Sequence, residues 1–323
     1  RPVTISKSAA LAALLAALAL APPAMLDAQT QSANVKLTAD IFTTRDGLEL
    51  GVKRYADLDS PGTTAVVVAI HGISGAASDF DPLGEFLARR GIALISWNQR
   101  GQGLDPRPRR RGDLDDWQKL VTDADDFQRV VAHASGGRPL FICAESMGAL
   151  IAINALAQRR FAGASGAILL SPVIELRGPQ PPPWQRALIR ALLVLAPWYR
   201  LDPGTLAPDE PEATRIAGNL QYQREREKAP HRQRKFTFRF FRNLIEMTES
   251  ANASAEALER PLLVLHGGRD IFVSPADVDA FCERIPAADM RSRLWPAAYH
   301  LLLYDDSTAE VLDTIAGWIA ERS

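Results

Sequence analysis

Ser146 is the residue whose setting most directly suggests covalent chemistry. It lies in the pentapeptide Ala-Glu-Ser-Met-Gly, after an apolar run over residues 140–143 and before a helix-like run over residues 149–156. A serine between a strand and a helix is held in a tight turn that presents its hydroxyl for nucleophilic attack. Such a turn has room only for very small side chains two positions before and after the serine; Gly148 meets that demand, and Ala144 nearly does. An ordinary turn before an N-capped helix is the alternative.

His300 and Asp270 are the residues that would complete a catalytic triad with Ser146. A serine hydroxyl needs a general base, and the base needs a partner that fixes its tautomer. Asp270 follows the strand-like run 262–265, and His300 follows the strand-like run 291–295. Because the carboxyl ends of parallel strands meet at one edge of a sheet, we expect all three side chains to converge there. Alternatively, Asp270 would be an ordinary turn residue, and His300 would cap the last helix.

The order serine, acid, histidine along the chain is typical of the α/β-hydrolases. Five segments together resemble the monoacylglycerol lipase and lysophospholipase-like branch of that superfamily, which is described together with the serine aminopeptidases. These segments are His-Gly-Ile-Ser-Gly at 71–75, Asn-Gln-Arg-Gly-Gln-Gly at 98–103, the serine pentapeptide at 144–148, Leu-His-Gly-Gly-Arg-Asp at 265–270 and Ala-Tyr-His-Leu-Leu-Leu at 298–303. The resemblance extends from Val35 to the C terminus. Ala144, Asn98 and Leu104 depart from the glycine, aspartate and serine that relatives often carry, and none of them belongs to the triad.

The resemblance implies hydrolysis of an acyl ester through a covalent acyl-enzyme. Ser146 would attack the carbonyl carbon, His300 would move the proton, and Asp270 would support the imidazolium. The backbone N–H groups of Ile73 and Met147 would hold the oxyanion. The expected substrates are acyl lipids of the monoacylglycerol or lysophospholipid type.

The alternation of apolar and amphipathic segments predicts one layered α/β core. Continuous apolar runs are typical of buried parallel strands. Runs in which apolar and polar residues alternate are typical of half-buried strands. Eight strands are predicted, at residues 35–42, 48–55, 65–70, 93–98, 140–143, 167–170, 262–265 and 290–295. Asp81 and Ser274 are each predicted to be the N-cap of a helix, with proline at its first position, and two further helices are predicted to cover 113–134 and 306–322. With the resemblance, this predicts an α/β-hydrolase fold: a mostly parallel eight-stranded sheet flanked by helices, with the serine after strand 5 and a helical lid inserted after strand 6.

The regular alternation stops between residues 172 and 260, and we predict an inserted lid there. The core is thereby divided into residues 35–171 and 261–323. Within the insertion, residues 186–198 carry a broad apolar face on a predicted helix. This face would either pack against the core, or form a wall for the acyl chain and a surface that meets a lipid interface. The predicted substrate-binding residues on it are Leu188, Leu192 and Trp198.

Residues 1–28 are predicted to be a secretory signal peptide. Lys7 precedes an alanine- and leucine-rich run over residues 9–21, which is shorter than the ~20 residues of a membrane span. Cleavage is expected after Ala28, and residues 29–34 would form a flexible linker. The alternative is an uncleaved N-terminal membrane anchor. In both cases the catalytic domain is expected to be exported, to the periplasm or out of the cell.

The composition argues against several other classes of protein. The 323 residues carry 37 basic and 38 acidic side chains, a net charge of -1, so no global field attracts nucleic acid. The sequence has no paired cysteine or histidine spacing and no glycine-rich phosphate loop, so neither a metal nor a cofactor is expected. The expected partner is a small acyl ester or lipid, and the sequence gives no oligomeric state. Two basic clusters, at 107–111 and 224–242, fit either a solvated surface or a contact with anionic lipid.

Two alternatives to an acyl-lipid esterase stay open at this point. A proline iminopeptidase-like enzyme would share the fold and the triad but would need acidic groups in the lid, which Asp209, Glu210 and Glu212 could supply. A non-catalytic binding module of the same fold would usually have lost a triad residue, whereas this chain keeps all three. A dehalogenase or epoxide hydrolase is excluded, because it would need aspartate in place of the serine. For the acid itself, Glu175 after the sixth predicted strand competes with Asp270.

Overall fold

The computed structural model describes residues 34–175, 182–203 and 215–323. Residues 34–323 form one compact unit. The predicted signal peptide at 1–28 and nearly all of the predicted linker at 29–34 lie outside the described residues and stay predictions. Within the described ranges, no helix is both long enough and apolar enough to cross a bilayer.

A nine-stranded, mostly parallel sheet forms the centre of the described residues. Its strand order is β1-β2-β3-β5-β4-β6-β7-β10-β11. The six strands from β5 to β11 in that order run parallel, whereas β1, β2 and β3 are antiparallel. The strands are β1 (Lys36–Leu37), β2 (Ile41–Thr43), β3 (Glu49–Arg54), β4 (Ala65–Ile70), β5 (Ile92–Trp97), β6 (Leu140–Glu145), β7 (Ala164–Leu170), β10 (Leu262–Gly267) and β11 (Met290–Trp295). A separate two-stranded sheet pairs β8 (Arg200–Leu201) with β9 (Phe236–Thr237).

The predicted count of eight strands in the main sheet was wrong by one. The predicted strand 35–42 folds as a tight hairpin, because the N–H of Thr38 donates to the carbonyl of Ile41 at 2.9 Å. The Thr38 hydroxyl in turn accepts the N–H of Ile41 at 3.1 Å. The sequence pattern does not reveal this turn, because apolar and polar residues alternate both before and after it. The serine therefore follows β6 and the insertion follows β7, rather than strands 5 and 6.

Eight α-helices are present in the described residues. They are α1 (Asp81–Ala88), α2 (Gln118–Ala134), α3 (Met147–Ala157), α4 (Pro183–Leu195), α5 (Leu220–Lys228), α6 (Phe238–Ala253), α7 (Pro275–Glu283) and α8 (Thr308–Ala320). Short 3₁₀ turns cover Ala77–Phe80, Pro108–Arg110, Ala255–Ala257 and Leu302–Tyr304. Ser274 caps α7 as predicted, with its hydroxyl accepting the N–H of Asp277 at 3.2 Å.

Three predicted helix boundaries needed correction. Asp81 is the first residue of α1 rather than its cap, because the 3₁₀ turn before it already places Phe80 at the cap position. The helix predicted from 113 begins only at Gln118, since Asp113 is held by the hydroxyl of Thr237 at 2.9 Å. The apolar helix predicted at 186–198 covers Pro183–Leu195 instead.

The core lies on both faces of the sheet. Side chains alternate along β4, so that Val66 and Val68 belong to one buried cluster and Val67 to the other. The first cluster packs against α2 and α3, and the second against α1 and α8. All residues of β4, β5 and β6 are buried. The sheet is thus covered by helices on both sides, and the carboxyl ends of its parallel strands all lie at the same end of the sheet.

Candidate active site

Ser146 sits at a sharp turn between β6 and α3. Its backbone has φ 56° and ψ −118°, a left-handed conformation that costs energy for any residue other than glycine. The Ser146 N–H donates to the carbonyl of Leu170 at 2.9 Å, which extends the pairing of β6 with β7 into the turn. Ala144 remains inside β6 and is fully buried, so the extra methyl is accommodated in the sheet.

Gly148 is required because the first turn of α3 approaches the end of β4. A Cβ atom at this position would lie 2.1 Å from the carbonyl oxygen of Ile70 and 2.8 Å from that of His71. Both contacts are to backbone, which has little freedom to move. The sequence requirement for a small residue after the serine is therefore a packing requirement of the turn itself.

Substitution of Gly148 by alanine is expected to lower the free energy of unfolding by about 3 kcal/mol, because the new methyl overpacks against backbone. Chemical denaturation measures this change. The matched control is Gly317→Ala in α8, where a Cβ would meet nothing within 4 Å. Alanine there is expected to stabilise the protein by about 0.8 kcal/mol through helix propensity. Equal effects at the two positions would contradict the packing argument.

The structure brings Ser146, His300 and Asp270 into one hydrogen-bonded line. The distance from His300 Nε2 to Ser146 Oγ is 2.9 Å, and that from His300 Nδ1 to Asp270 Oδ2 is 2.6 Å. All three side chains are buried. Asp270 follows β10 and His300 follows β11, so the carboxyl ends of neighbouring parallel strands position them.

The carboxylate of Asp270 is itself fixed by backbone donors. Its Oδ1 accepts the N–H of Phe272 at 2.7 Å and that of Val273 at 3.3 Å. Because Asp270 Oδ2 accepts a hydrogen bond from His300 Nδ1, the imidazole carries its proton on Nδ1. Its Nε2 is then free to accept the serine proton. The geometry therefore suits proton transfer from the serine hydroxyl.

The electrostatics of the site favour a His300 that can hold a proton. Burial by itself lowers the pKa of His300, but the adjacent Asp270 carboxylate outweighs it and the pKa is raised above the usual 6.5. Beside Ser146, burial and the nearby Asp79 raise the pKa of Glu145 to about 7. The buried Glu145 thus loses much of its charge near neutral pH.

The backbone N–H groups of Ile73 and Met147 lie on the two segments that flank the nucleophile. Met147 is the first residue of α3, and Gly72 packs so closely that a Cβ on it would lie 3.1 Å from the Cβ of Ser146. In the part of the chain that the structure describes, neither N–H has a hydrogen-bond acceptor. Both groups are therefore available as donors, and their role as an oxyanion hole stays a prediction.

His71 supports the loop that carries Ile73, a role the sequence did not reveal. The His71 Nδ1 donates to the carbonyl of Gly72 at 2.8 Å, and its Nε2 accepts the N–H of Gln99 at 3.0 Å. Burial lowers the pKa of His71 to about 4, so the ring is neutral and can act as donor and acceptor together. The histidine of the His-Gly motif is a positioning residue here.

The second half of the insertion contacts both loops of the site. In the loop that carries Ile73, the carbonyl of Ile73 accepts a hydrogen bond from Arg226 Nη2 at 3.3 Å. In the same loop, the Ser74 hydroxyl donates to the carbonyl of Gln233. On the histidine side, the N–H of Leu301 donates to the carbonyl of Ile216 at 2.8 Å. The ring of Tyr222 also stacks on that of Tyr304, with 3.3 Å between the centroids. Residues 216–234 therefore connect the two loops, and no sequence signal indicated it.

The three predicted substrate-binding residues lie on the solvent-exposed side of α4 or directly after it. Leu188 is 54%, Leu192 46% and Trp198 75% exposed, whereas Leu193 on the opposite side is buried. These side chains are exposed to solvent, whereas Ser146, Asp270 and His300 are buried. The role of the three exposed side chains in substrate binding stays a prediction. Glu175, the competing acid, is exposed after β7, while Nδ1 of His300 is occupied by Asp270.

Comparison with known proteins decides the family. The family model Hydrolase_4 (Serine aminopeptidase, S33) matches residues 61–307. The chain belongs to this family. The predicted branch and the predicted α/β-hydrolase fold are thereby confirmed, and the chain is a hydrolase of the lipase and esterase type.

Individual relatives agree with this assignment. Phospholipase YtpA of Bacillus subtilis is 29% identical over 248 residues, which cover 76% of this chain and 92% of the relative. The monoacylglycerol lipase of Mycolicibacterium smegmatis is 25% identical over 280 residues, covering 84% and 94%. Among solved structures, a soluble variant of the Saccharomyces cerevisiae monoglyceride lipase in complex with a substrate analogue superposes with a TM-score of 0.72 at 21% identity, covering 90% of this chain and 97% of that one. This last likeness shows the shared fold.

Proposed function

We propose that this S33-family hydrolase cleaves carboxylic ester bonds of acyl lipids of the monoacylglycerol or lysophospholipid type. The observation that carries the proposal is the line of hydrogen bonds from Ser146 Oγ through His300 to Asp270, at 2.9 and 2.6 Å. A serine hydroxyl next to a neutral imidazole that is anchored by a carboxylate is an activated nucleophile. No other described serine has this combination of contacts.

In the first half of the reaction, Ser146 Oγ attacks the carbonyl carbon of the ester while His300 Nε2 takes the hydroxyl proton. The carbonyl oxygen becomes an oxyanion, and the N–H groups of Ile73 and Met147 stabilise it. One such donor typically contributes about 3 kcal/mol to the transition state. The tetrahedral intermediate then expels the alcohol, which receives the proton from His300, and the acyl group remains on the serine.

In the second half, water attacks the acyl-enzyme and gives its proton to His300. Collapse of the second intermediate releases the fatty acid and returns the proton to Ser146. Throughout, Asp270 stabilises the imidazolium and holds the ring in place. His300 carries every proton in this scheme. Ester hydrolysis changes no oxidation state, so the steps as written use neither a metal nor a redox cofactor.

The substrate class is supported by the relatives and by the insertion. Two relatives bear the names phospholipase and monoacylglycerol lipase. We propose that residues 172–260 act as a lid, and that the apolar α4 with Leu188, Leu192 and Trp198 contacts the acyl chain or a lipid interface. We propose further that an N-terminal signal peptide exports the enzyme, with an uncleaved anchor as the alternative.

A proline iminopeptidase-like activity is the second candidate, because the matching family is described as serine aminopeptidase. Its expected acidic residues, Asp209, Glu210 and Glu212, lie outside the described residues. A non-catalytic binding module is the third candidate, and the assembled contacts of Ser146, His300 and Asp270 argue against it.

A panel of substrates separates these candidates. The purified protein is expected to hydrolyse a long-chain monoacylglycerol and a lysophosphatidylcholine, and to leave a prolyl amide uncleaved above the background of Ser146→Ala. The reason is that the apolar α4 offers contact area to an acyl chain. Release of fatty acid and of free amine measures the two reactions. Preference for the prolyl amide would overturn the proposed substrate class.

A further inference from the structure

The helix α4 and the residues directly after it expose a stripe of large apolar side chains. Its large apolar side chains recur at intervals of three and four residues and continue past the end of the helix. The opposite side of the helix packs on α6, where Leu193 is only 6% exposed. Soluble monomers rarely expose contiguous apolar patches of this kind unless another surface covers them. The stripe consists of Trp184, Leu188, Leu192, Leu195, Trp198 and Tyr199.

A basic rim lies directly beside the end of this stripe. Arg200, the next residue after Tyr199, extends across the neighbouring loop and donates from Nη2 to the carbonyl of Arg109 at 3.0 Å. Its Nη1 donates to the carbonyl of Arg111 at 2.6 Å and lies 3.4 Å from that of Lys235. The two basic clusters at 107–111 and 224–242, more than a hundred residues apart in the sequence, therefore meet at Arg200.

Part of the positive charge in this region is neutralised within the protein. Arg107 pairs with Asp105 at 2.9 Å, and Arg110 pairs with Asp113 at 3.1 Å. The Arg239 guanidinium also binds Asp113. These ion pairs fix the loop and neutralise most of the charge of these three arginines, with Asp113 shared between two of them.

Four cations of the rim remain uncompensated. Within the described ranges, no carboxylate oxygen lies within 4 Å of the charged groups of Arg109, Arg111, Arg200 or Lys235. Arg109, Arg200 and Lys235 are exposed, and Arg111 is half-buried. Among the described residues, this is a local positive excess in a chain whose net charge is -1. We call the apolar stripe and these four cations the docking surface.

We propose that the docking surface binds an anionic lipid bilayer. Tryptophan and tyrosine prefer the boundary between hydrocarbon and headgroups, which is where Trp198 and Tyr199 would lie when the stripe enters the bilayer. The cations beside them would then contact negatively charged headgroups, each contributing about 1 kcal/mol. An apolar stripe alone would bind neutral and anionic lipid equally well. The four uncompensated cations are what selects the anionic surface.

This inference gives the proposed lipid hydrolase a specific interface, and in that sense it rests on the proposed function. The binding itself needs no catalysis. It can therefore be tested with the full-length protein and vesicles whether or not any ester is cleaved.

The test is co-sedimentation with vesicles of phosphatidylcholine alone and of equal parts phosphatidylcholine and phosphatidylglycerol. The wild-type protein is expected to bind the mixed vesicles more tightly, and salt is expected to reduce this preference. The double variant Arg109→Gln/Lys235→Gln removes two charges whose side chains make no hydrogen bond in the described structure. It is expected to weaken binding to the mixed vesicles about 25-fold, fivefold for each charge, with little change on phosphatidylcholine.

Two further variants complete the design. Lys36→Gln/Arg89→Gln removes two exposed cations, on β1 and after α1, for which the described residues provide no ion-pair partner either. It is expected to bind like the wild type. Trp198→Ala is expected to weaken binding to both kinds of vesicle at least about tenfold. All variants retain residues 1–33, so any contribution of that segment cancels in the comparison.

Equal binding of the wild type to the two kinds of vesicle would overturn the inference. An equal loss in the two double variants would also overturn it, because the effect would then follow net charge and not the docking surface. Unchanged thermal unfolding shows that each variant is folded. If vesicle binding behaves as expected but no ester is hydrolysed, only the proposed function fails.

Discussion

Replacement of Ser146 by alanine is expected to lower kcat for ester hydrolysis by roughly 10⁴ to 10⁶. The alanine has no oxygen to form the acyl-enzyme. His300 also loses the hydroxyl group that lies 2.9 Å from its Nε2 and whose proton it would accept. Binding of the ester is expected to persist, so KM should change much less than kcat. Steady-state kinetics with a soluble short-chain ester measure both constants. The residual rate reflects water attack on an ester that the remaining site still binds.

The variant is expected to fold normally, because alanine is smaller and the turn already accepts a side chain at this φ. The matched control is Ser135→Ala, at the end of α2, where the hydroxyl only donates to the carbonyl of Ala132. That control should keep wild-type kinetics. A Ser146→Ala protein that still hydrolyses the ester within tenfold of the wild-type rate would show that another residue is the nucleophile.

Replacement of Asp270 by asparagine is expected to lower kcat by about 10⁴. The amide nitrogen would donate toward Nδ1 of His300, which favours the tautomer with its proton on Nε2. That proton would point at Ser146 Oγ, so the ring could no longer accept the serine proton. The 2.6 Å contact between Asp270 and His300 is thus what sets the direction of proton transfer.

The same variant is expected to change the pH profile. In the wild type, burial lowers and the Asp270 carboxylate more strongly raises the pKa of His300, so the net pKa lies above 6.5. Only the neutral imidazole acts as base, and kcat/KM should therefore fall as the pH decreases through that raised pKa. With asparagine the raising charge is gone, so burial prevails and the inflection should move to lower pH.

The control for the acid is Glu175→Gln, which is expected to leave both the rate and the pH profile unchanged because Glu175 is exposed and Asp270 already occupies Nδ1. An inactive Glu175→Gln protein together with an active Asp270→Asn protein would show that Glu175, and not Asp270, is the acid that supports His300.

The positions of Ser146, Asp270 and His300 at the ends of parallel strands could be predicted from local patterns. The strand-like runs predicted at 140–143, 262–265 and 290–295 each coincide with a parallel strand, and Ser146, Asp270 and His300 follow these runs within five residues. Small residues around Ser146 indicate the sharp turn, since a larger side chain at Gly148 would collide with the backbone of Ile70. Strand ends and tight turns have short-range sequence signals, and this is why this part of the site was predictable.

Contacts between distant loops had no such signal. The hydrogen bond from Arg226 to the carbonyl of Ile73 joins residues 153 positions apart, and the stacking of Tyr222 on Tyr304 links the insertion to the histidine loop. The meeting of the two basic clusters at Arg200 has the same origin. Such contacts depend on how the insertion folds back on the core, which no periodicity within the insertion encodes.

The central claim is that Ser146 becomes covalently acylated, and trapping that adduct tests it most directly. A fluorophosphonate ester reacts with an activated serine hydroxyl and stays attached, so peptide mapping by mass spectrometry locates the modified residue. The account predicts one phosphonate on Ser146, reduced in Asp270→Asn and absent in Ser146→Ala. A phosphonate on a different residue, or undiminished labelling of Ser146→Ala, would contradict the account.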